Sequence, residues 1–113
     1  MTITQEDKEA IREFKKAVNM SGTEITKWLE TQESKAVGFK GGGGESVGHR
    51  SGRRIIGLLE KKQDELTESD LRHVRKVVGY IHRHLAQRPA GDVSETPWRY
   101  SLMNWGHDPV KKG

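Results

Sequence analysis

The residues that could most clearly take part in binding or catalysis are the cations of a helical segment around residue 80. Between residues 71 and 88 the basic side chains include Arg72, Lys76 and Arg83, and no acidic residue occurs. At roughly 100° per residue these three fall, with Gly79, nearly opposite the apolar positions of the helix. Such a row suits a phosphate backbone, because cations displace counterions and a glycine permits close approach. The alternative is an ordinary solvated face, which must be polar in any protein.

A second basic cluster is the segment GHRSGRR, residues 48–54. Arg50, Arg53 and Arg54 lie there beside the predicted start of a helix, where free backbone N–H groups favour a phosphate or carboxylate. No Gly-Lys-Ser/Thr closes the glycine run, so the segment does not match a nucleotide-binding phosphate loop. The alternative is a flexible linker followed by a helix cap, in which Ser51 satisfies backbone donors.

Other kinds of active site lack the residues that they need. The chain has no cysteine, and HExxH does not occur. His82 and His84 are two apart on a predicted helix, so they point to nearly opposite sides and cannot chelate one ion. Ser51 lies near His49, but no third group is placed to orient a base. We therefore predict no enzymatic activity, no cofactor and no metal site.

The first third of the chain predicts two helices. Thr4 is a candidate N-cap for a helix over 5–18, and Ser21 with Glu24 matches a capping box that opens a helix over 22–33. The short connection predicts an antiparallel hairpin over 4–33. Residues 1–33 hold 5 basic and 7 acidic side chains, so this hairpin should be acidic.

A linker and a third helix follow. Residues 34–44, SKAVGFKGGGG, predict a glycine-rich linker, because four consecutive glycines forfeit too much backbone entropy in a helix. The third helix should end near Lys62. Its start falls anywhere from Glu45 to Ser51, because Gly48 and Gly52 weaken its first turns.

The fourth helix has the strongest pattern. Thr67 caps it, its apolar residues recur every three or four positions, and it should end before Pro89. Three ring-bearing residues share one side, beside the apolar stripe: His73, Tyr80 and His84. We predict that they cover the edge of the core, with their polar tips in water or hydrogen-bonded.

The C-terminal part predicts one further short helix. Thr96 and Pro97 give the favoured order of cap and first helical residue, and Gly106 can end the helix. Its apolar residues lie on one face: Trp98, Leu102 and Trp105. Together with Tyr100 these tryptophans could stack on bases of single strands, but their spacing favours a core role. The tail, 107–113, is predicted to be loose apart from His-Asp-Pro, residues 107–109.

Composition limits the size and the surroundings of the fold. The chain has 113 residues, 32% hydrophobic and 32% charged, with a net charge of +4. That is enough for one domain with a modest core. Residues 34–113 carry 15 basic and 9 acidic side chains, a balance that can steer a polyanion. With no cysteine, no secretory signal and no apolar run of membrane length, we expect an intracellular protein of the cytoplasm or nucleus that does not enter a membrane.

Three motifs carry a resemblance to a known family. They are VGHRSGR at 47–53, VRKVVGYIHRHLAQRP at 74–89 and NWGHDP at 104–109. With them the chain resembles a small family catalogued as a domain of unknown function (number 3140) and commonly labelled "DNA-binding protein". The resemblance implies no catalytic residues, and it points at the same two basic segments that the charge pattern selects.

Together these features predict an all-α protein, a small single-domain helical bundle of about five helices with a glycine-rich loop and a basic helical core over 45–106. The predicted function is nucleic-acid binding, DNA or RNA, through the phosphate backbone. The residues expected to make these contacts are Arg50, Arg53, Arg54, Arg72, Lys76 and Arg83. The alternative is a non-enzymatic protein-interaction or scaffold module, in which the acidic hairpin and the tryptophan-bearing C-terminus dock a protein partner. One continuous positive surface across both clusters would favour nucleic acid.

Overall fold

The computed structural model of the chain describes residues 3–37 and 46–111, and each regular element in those ranges is helical. The all-α class is therefore confirmed, although these ranges contain six α-helices where about five were predicted. A short 3₁₀ turn, Gln63–Glu65, joins the fourth helix to the fifth. The glycine run 41–44 and the last two residues of the tail lie outside the described residues. The helices are α1 (Gln5–Ala17), α2 (Gly22–Leu29), α3 (Gln32–Ala36), α4 (Val47–Glu60), α5 (Glu68–Leu85) and α6 (Pro97–Asn104).

Local capping sets where the helices begin. The residue before each α-helix has a side-chain oxygen that accepts a hydrogen bond from a backbone N–H of the first turn. In chain order these capping residues are Thr4, Ser21, Thr31, Ser46, Thr67 and Thr96. In α1, α2 and α5 an acidic residue at the third position completes a capping box. Beyond the C-terminus of α6, Gly106 has a φ of +83°, the left-handed conformation that favours glycine. The predicted caps Thr4, Ser21, Thr67 and Thr96 and the predicted stop at Gly106 are thus confirmed.

Helix α3 was not predicted. The second helix ends at Leu29 instead of 33, and Thr31 then caps a new helix that includes residues 34–36 of the predicted linker. The Thr31 hydroxyl accepts a hydrogen bond from the Ser34 amide at 3.1 Å. Ser34 is fully buried and bonds to Asn104 of α6, so packing against a distant helix holds this turn in place.

The predicted antiparallel hairpin of the first two helices is wrong. Helix α1 packs along α5 and α2 packs along α4, whereas α1 and α2 share no comparable interface. Ile11 and Phe14 of α1 line one side of a small cavity of about 80 Å³, with Leu58 and Val74 on the other side. The apolar face of α1 is therefore buried on the second half of the chain.

Helix α6 lies in the middle of the core, in contact with α2, α3, α4 and α5. Trp98, Leu102 and Trp105 are all buried, which confirms the core role predicted from their spacing. Within the described ranges, no helix combines the length and the apolar composition that crossing a bilayer requires.

The start of the predicted loose tail is ordered by contacts with the beginning of the chain. The amide of Asp108 donates to Asn19 Oδ1 at 2.8 Å, and Asn19 Nδ2 donates to the Asp108 carbonyl at 2.9 Å. Arg99 forms a two-pronged ion pair with the Asp108 carboxylate, both distances being 3.1 Å. Residues 107–109, excepted from the loose tail, are thus held by partners about ninety positions earlier or on α6. Lys111 of the tail is held as well, since its Nζ donates to the Asn19 carbonyl at 2.8 Å.

Candidate nucleic-acid interface

The two basic segments meet where α4 approaches the first half of α5. Ser51 Oγ of α4 lies 2.9 Å from His73 Nε2 of α5, within hydrogen-bond distance. Arg54 of α4 and Lys76 of α5 both lie close enough to His73 to disfavour its protonation. The arginines of α4 and the cations of α5 thus lie on neighbouring helices, and this geometry brings Arg54 and Lys76 to the same histidine.

The six predicted contact residues are all exposed, but they differ in their carboxylate partners. Arg54 donates to Ser69 Oγ at 2.8 Å and pairs with Asp70 at 3.4 Å. Asp70 also accepts from Lys61 at 2.7 Å. Its pKa falls to about 2, mainly through the Lys61 hydrogen bond, then the Thr67 amide bond. Part of the charge of Arg54 is therefore used to hold the start of α5.

The three predicted contact residues of α5 have no such partner. Arg72, Lys76 and Arg83 take part in no ion pair or hydrogen bond among the residues that the structure describes. Their full charge is available at the surface, and all three residues lie on one helix, within about three turns. We call Arg72, Lys76 and Arg83 the α5 row.

Acidic residues lie on the other flank of α5. Arg75 pairs with Asp7 of α1, and three further α1 carboxylates share a groove with it: Glu6, Glu9 and Glu13. Gly79 lines this same acidic groove, which would repel a phosphate. The role predicted for Gly79, close approach of a phosphate backbone, is therefore wrong. A side chain at residue 79 would instead meet Arg83, whose guanidinium nitrogen lies 3.0 Å from the position of an added Cβ.

Two members of the α5 row flank a cavity of about 300 Å³. Lys76, Tyr80 and Arg83 form its α5 wall. The opposite walls come from the first turn of α4 and from α6 with its C-cap: Val47, Gly48, Ser101, Asn104 and Trp105. No carboxylate is among the described residues that line the cavity, and two of these residues are cations. The sequence pattern did not reveal this cavity, because it is formed by three helices distant in sequence.

Stacked rings of α5 and of α6 with its C-cap form a ladder beside the α5 row. Tyr80 stacks on Trp105 with ring centroids 4.2 Å apart, and on His84 at 5.2 Å. His84 continues to Trp98 at 5.9 Å, and His73 stacks on the far side of Trp105 at 6.3 Å. The prediction that His73, Tyr80 and His84 cover the edge of the core is confirmed. Because Trp98 and Trp105 are used inside this ladder, they are not presented to bases.

The Ser51–His73 contact could not be foreseen from the spacing that paired Ser51 with His49. It joins residues 22 positions apart and connects α4 to α5. His49 instead directs its Nε2 to the carbonyl of Leu29, 2.8 Å away. Over the described ranges, no three His, Asp or Glu side chains come together in a way that could hold a metal ion.

The position of His73 predicts how stability depends on pH. Burial, with smaller contributions from Arg54 and Lys76, lowers the pKa of His73 to about 4, against a weaker opposing effect of Asp70. The unfolded chain, with a histidine pKa of about 6.5, therefore binds this proton more tightly. The contribution of neutral His73 to stability is complete above pH ~6.5 and is lost progressively as the pH falls toward 4. The loss should reach about 3 kcal/mol at most.

Urea denaturation at several values between pH 7 and pH 4 checks this expectation. His73→Gln removes the titrating group, so the free energy of unfolding of this variant should change much less across that range. The exposed residue His82 provides the control His82→Gln, which should keep the pH dependence of the parent. An equal slope in His73→Gln and the parent would contradict the assignment.

Comparison with protein families identifies the chain. The model of a family described as "Protein of unknown function (DUF3140)" matches residues 13–103. The chain belongs to this family. The match covers the end of α1 and almost all of α6, so it includes both basic segments of this DUF3140 protein and the residues of the cavity walls except Asn104 and Trp105. Neither the curated proteins nor the solved structures that were searched contain a match to it.

Proposed function

We propose that this DUF3140 protein binds nucleic acid through the phosphate backbone, with the α5 row as the main contact and the arginines of α4 beside it. The observation that carries the proposal is the set of three exposed cations without carboxylate partners, Arg72, Lys76 and Arg83. Phosphates attract such cations more strongly than paired ones, because no internal ion pair has to be broken. Because Ser51 of α4 contacts His73 of α5, the arginines of α4 lie beside the α5 row.

The buried tryptophans indicate what kind of binding to expect. Single-strand binding proteins commonly stack bases on exposed aromatic rings, but Trp98 and Trp105 are buried in the ring ladder. Cationic contacts without ring stacking recognise phosphates and carry little sequence information. The proposal is therefore binding with weak sequence preference to DNA or RNA.

The alternative proposal is a protein-interaction module that uses the acidic face of α1. The groove lined by Glu6, Glu9 and Glu13 favours it, because a basic partner could bind there. Its other predicted element, the tryptophan-bearing C-terminus, is not available while the fold is intact, since Trp98 and Trp105 are buried.

Titration of labelled duplex and single-stranded DNA and RNA tests the leading proposal. If only the α5 row contacts phosphates, the affinity should fall about 40-fold between 50 and 200 mM salt, and more steeply if the α4 arginines also engage. The triple variant Arg72→Ala, Lys76→Ala, Arg83→Ala should bind at least about tenfold more weakly at low salt, with a shallower salt dependence.

A matched control separates a specific surface from general charge. The variant Arg12→Ala, Lys15→Ala, Lys16→Ala also removes three positive charges, but from exposed positions of α1. Its affinity should stay within about threefold of the parent, because local contacts outweigh net charge at moderate salt. No binding by the parent at low salt, or equal losses in the two triple variants, would exclude the α5 row as the binding surface.

A further inference from the structure

The cavity between α4, α5 and α6 collects hydrogen-bond donors and positive charge. Lys76 and Arg83 line one side. The opposite side is the first turn of α4, where Val47 and Gly48 are the first two helical residues. Backbone amides at such positions have no acceptor within their own helix, and the helix dipole adds positive potential there. Charge and donors of this kind are the usual surroundings of a bound phosphate.

An indole nitrogen provides an independent sign of a ligand. The protein has three tryptophans, and two of their Nε1 groups have acceptors. Trp28 donates to Asn104 Oδ1 at 2.7 Å, and Trp98 donates to the His84 carbonyl at 2.7 Å. Trp105 is only 4% exposed, yet its Nε1 has no acceptor among the described residues.

The accessible part of this nitrogen faces the cavity. All completely buried side-chain nitrogen and oxygen atoms among the described residues have hydrogen-bond partners, so the Nε1 of Trp105 must retain contact with solvent. Trp105 lines the cavity, and its Nε1 faces Gly48, lying 3.0 Å from where a Cβ of residue 48 would be. A buried residue that keeps one donor open toward a cationic cavity is suited to an anionic acceptor.

We propose that this cavity binds the phosphate group of a phosphate monoester, held by Lys76, Arg83, the first amides of α4 and the Trp105 indole. Two cations and a helix N-terminus match the double negative charge of a monoester. A phosphate fills only part of 300 Å³, so the cavity also has room for a sugar. A monoester carries one substituent and can enter a concave site, whereas a phosphate inside a strand carries two.

This inference goes beyond the proposed function, because a small phosphate ester can occupy the cavity even if no strand binds the α5 row. Two sources share the required chemistry: a free nucleotide, and the phosphorylated end of a nucleic-acid strand. The pair of adenosine 5′-monophosphate and adenosine tests the first source. A short oligonucleotide with and without a 5′-phosphate tests the second.

The indole signals of the three tryptophans in a ¹H–¹⁵N NMR spectrum provide a direct readout. Titration with adenosine 5′-monophosphate should shift the Trp105 signal saturably, and adenosine should not. The signals of Trp28 and Trp98 should stay in place, because their donors are already bonded. A preference for the phosphorylated oligonucleotide, with the same Trp105 shift, would identify strand ends as a second source.

Variants distinguish the phosphate site from general attraction. Lys76→Gln with Arg83→Gln should weaken nucleotide binding by about tenfold or more, whereas Arg12→Gln with Lys15→Gln should leave it unchanged. Gly48→Ala places a methyl group against the Trp105 Nε1 and should also block the shift, while unchanged Trp28 and Trp98 signals show that the fold persists.

The proposal is overturned if adenosine 5′-monophosphate gives no saturable Trp105 shift, if adenosine gives the same shift, or if the double glutamine variant binds equally well. These outcomes are independent of the duplex titration. If the protein binds duplex but not the nucleotide, only the phosphate site in the cavity is refuted. If it binds the nucleotide but not duplex, only nucleic-acid binding by the α5 row is refuted.

Discussion

Gly52→Ala should lower the free energy of unfolding by about 2–4 kcal/mol, although alanine is the better helix former. A Cβ at residue 52 of α4 would lie 2.6 Å from the backbone oxygen of Asn104, and 2.9 Å and 3.2 Å from the two terminal methyl groups of Leu29. A side chain can rotate away, but the backbone of α6 cannot move without disturbing the core. Urea denaturation followed by circular dichroism measures the change.

Gly57 provides a control on the same helix. A Cβ added there meets nothing within 4 Å, so Gly57→Ala should stabilise the protein by about 0.5–1 kcal/mol through helix propensity alone. Equal effects of the two substitutions, in either direction, would show that α4 does not approach α6 as closely as the structure indicates.

Asn104→Ala should have a comparable effect, a loss of about 2–4 kcal/mol. Asn104 is 1% exposed. Its Oδ1 accepts from Trp28 Nε1 at 2.7 Å and from Ser34 Oγ at 2.5 Å, and its Nδ2 donates to the Ser34 carbonyl at 3.1 Å. Removing the amide leaves three polar groups without their partner, most severely the fully buried Ser34. Chemical denaturation again gives the free energy.

A double-mutant cycle separates the hydrogen bonds from the loss of volume. Ser34→Ala alone removes one donor and should cost about 1–2 kcal/mol. Combined with Asn104→Ala, it should cost less than the sum of the two single changes, because a buried donor is no longer left unpaired. Strict additivity would mean that Asn104 stabilises the protein by packing alone.

The two glycines of the VGHRSGR motif thus have a structural explanation. Gly48 and Gly52 are four positions apart, so they lie on the same face of α4, and both face the end of α6. In the sequence, the glycine-flanked arginine cluster indicated either a helix start that contacts a phosphate or a flexible linker followed by a helix cap. In the fold these glycines instead let two helices pack closely, and the arginines remain on the exposed side.

Much of the secondary structure could be predicted, because its causes are local. A cap such as Thr67 and its partner Asp70 are three residues apart, and a helical stripe repeats within four. The same locality explains why α3 was missed. Thr31 is a good cap and Glu33 a favourable first-turn residue, but a five-residue helix is stable only when Ser34 is buried against Asn104, 70 positions away.

The candidate site likewise has features that the sequence indicated and features that it did not. The acid-free α5 row was visible in the sequence, because charge and helical spacing are properties of the residues themselves. The pairing of Arg54 with Asp70, the acidic groove beside Gly79 and the contacts of Asp108 and Lys111 with Asn19 were not visible in the sequence.

The sequence by itself therefore determined that the two basic segments carry cations on two helices. Which of those cations are free to act was decided only in the tertiary structure. That decision depends on carboxylates, amides and rings brought together from three or more helices. Interactions across 16 to 90 residues depend on how the apolar faces pack, and the spacing of residues along one helix does not contain that information.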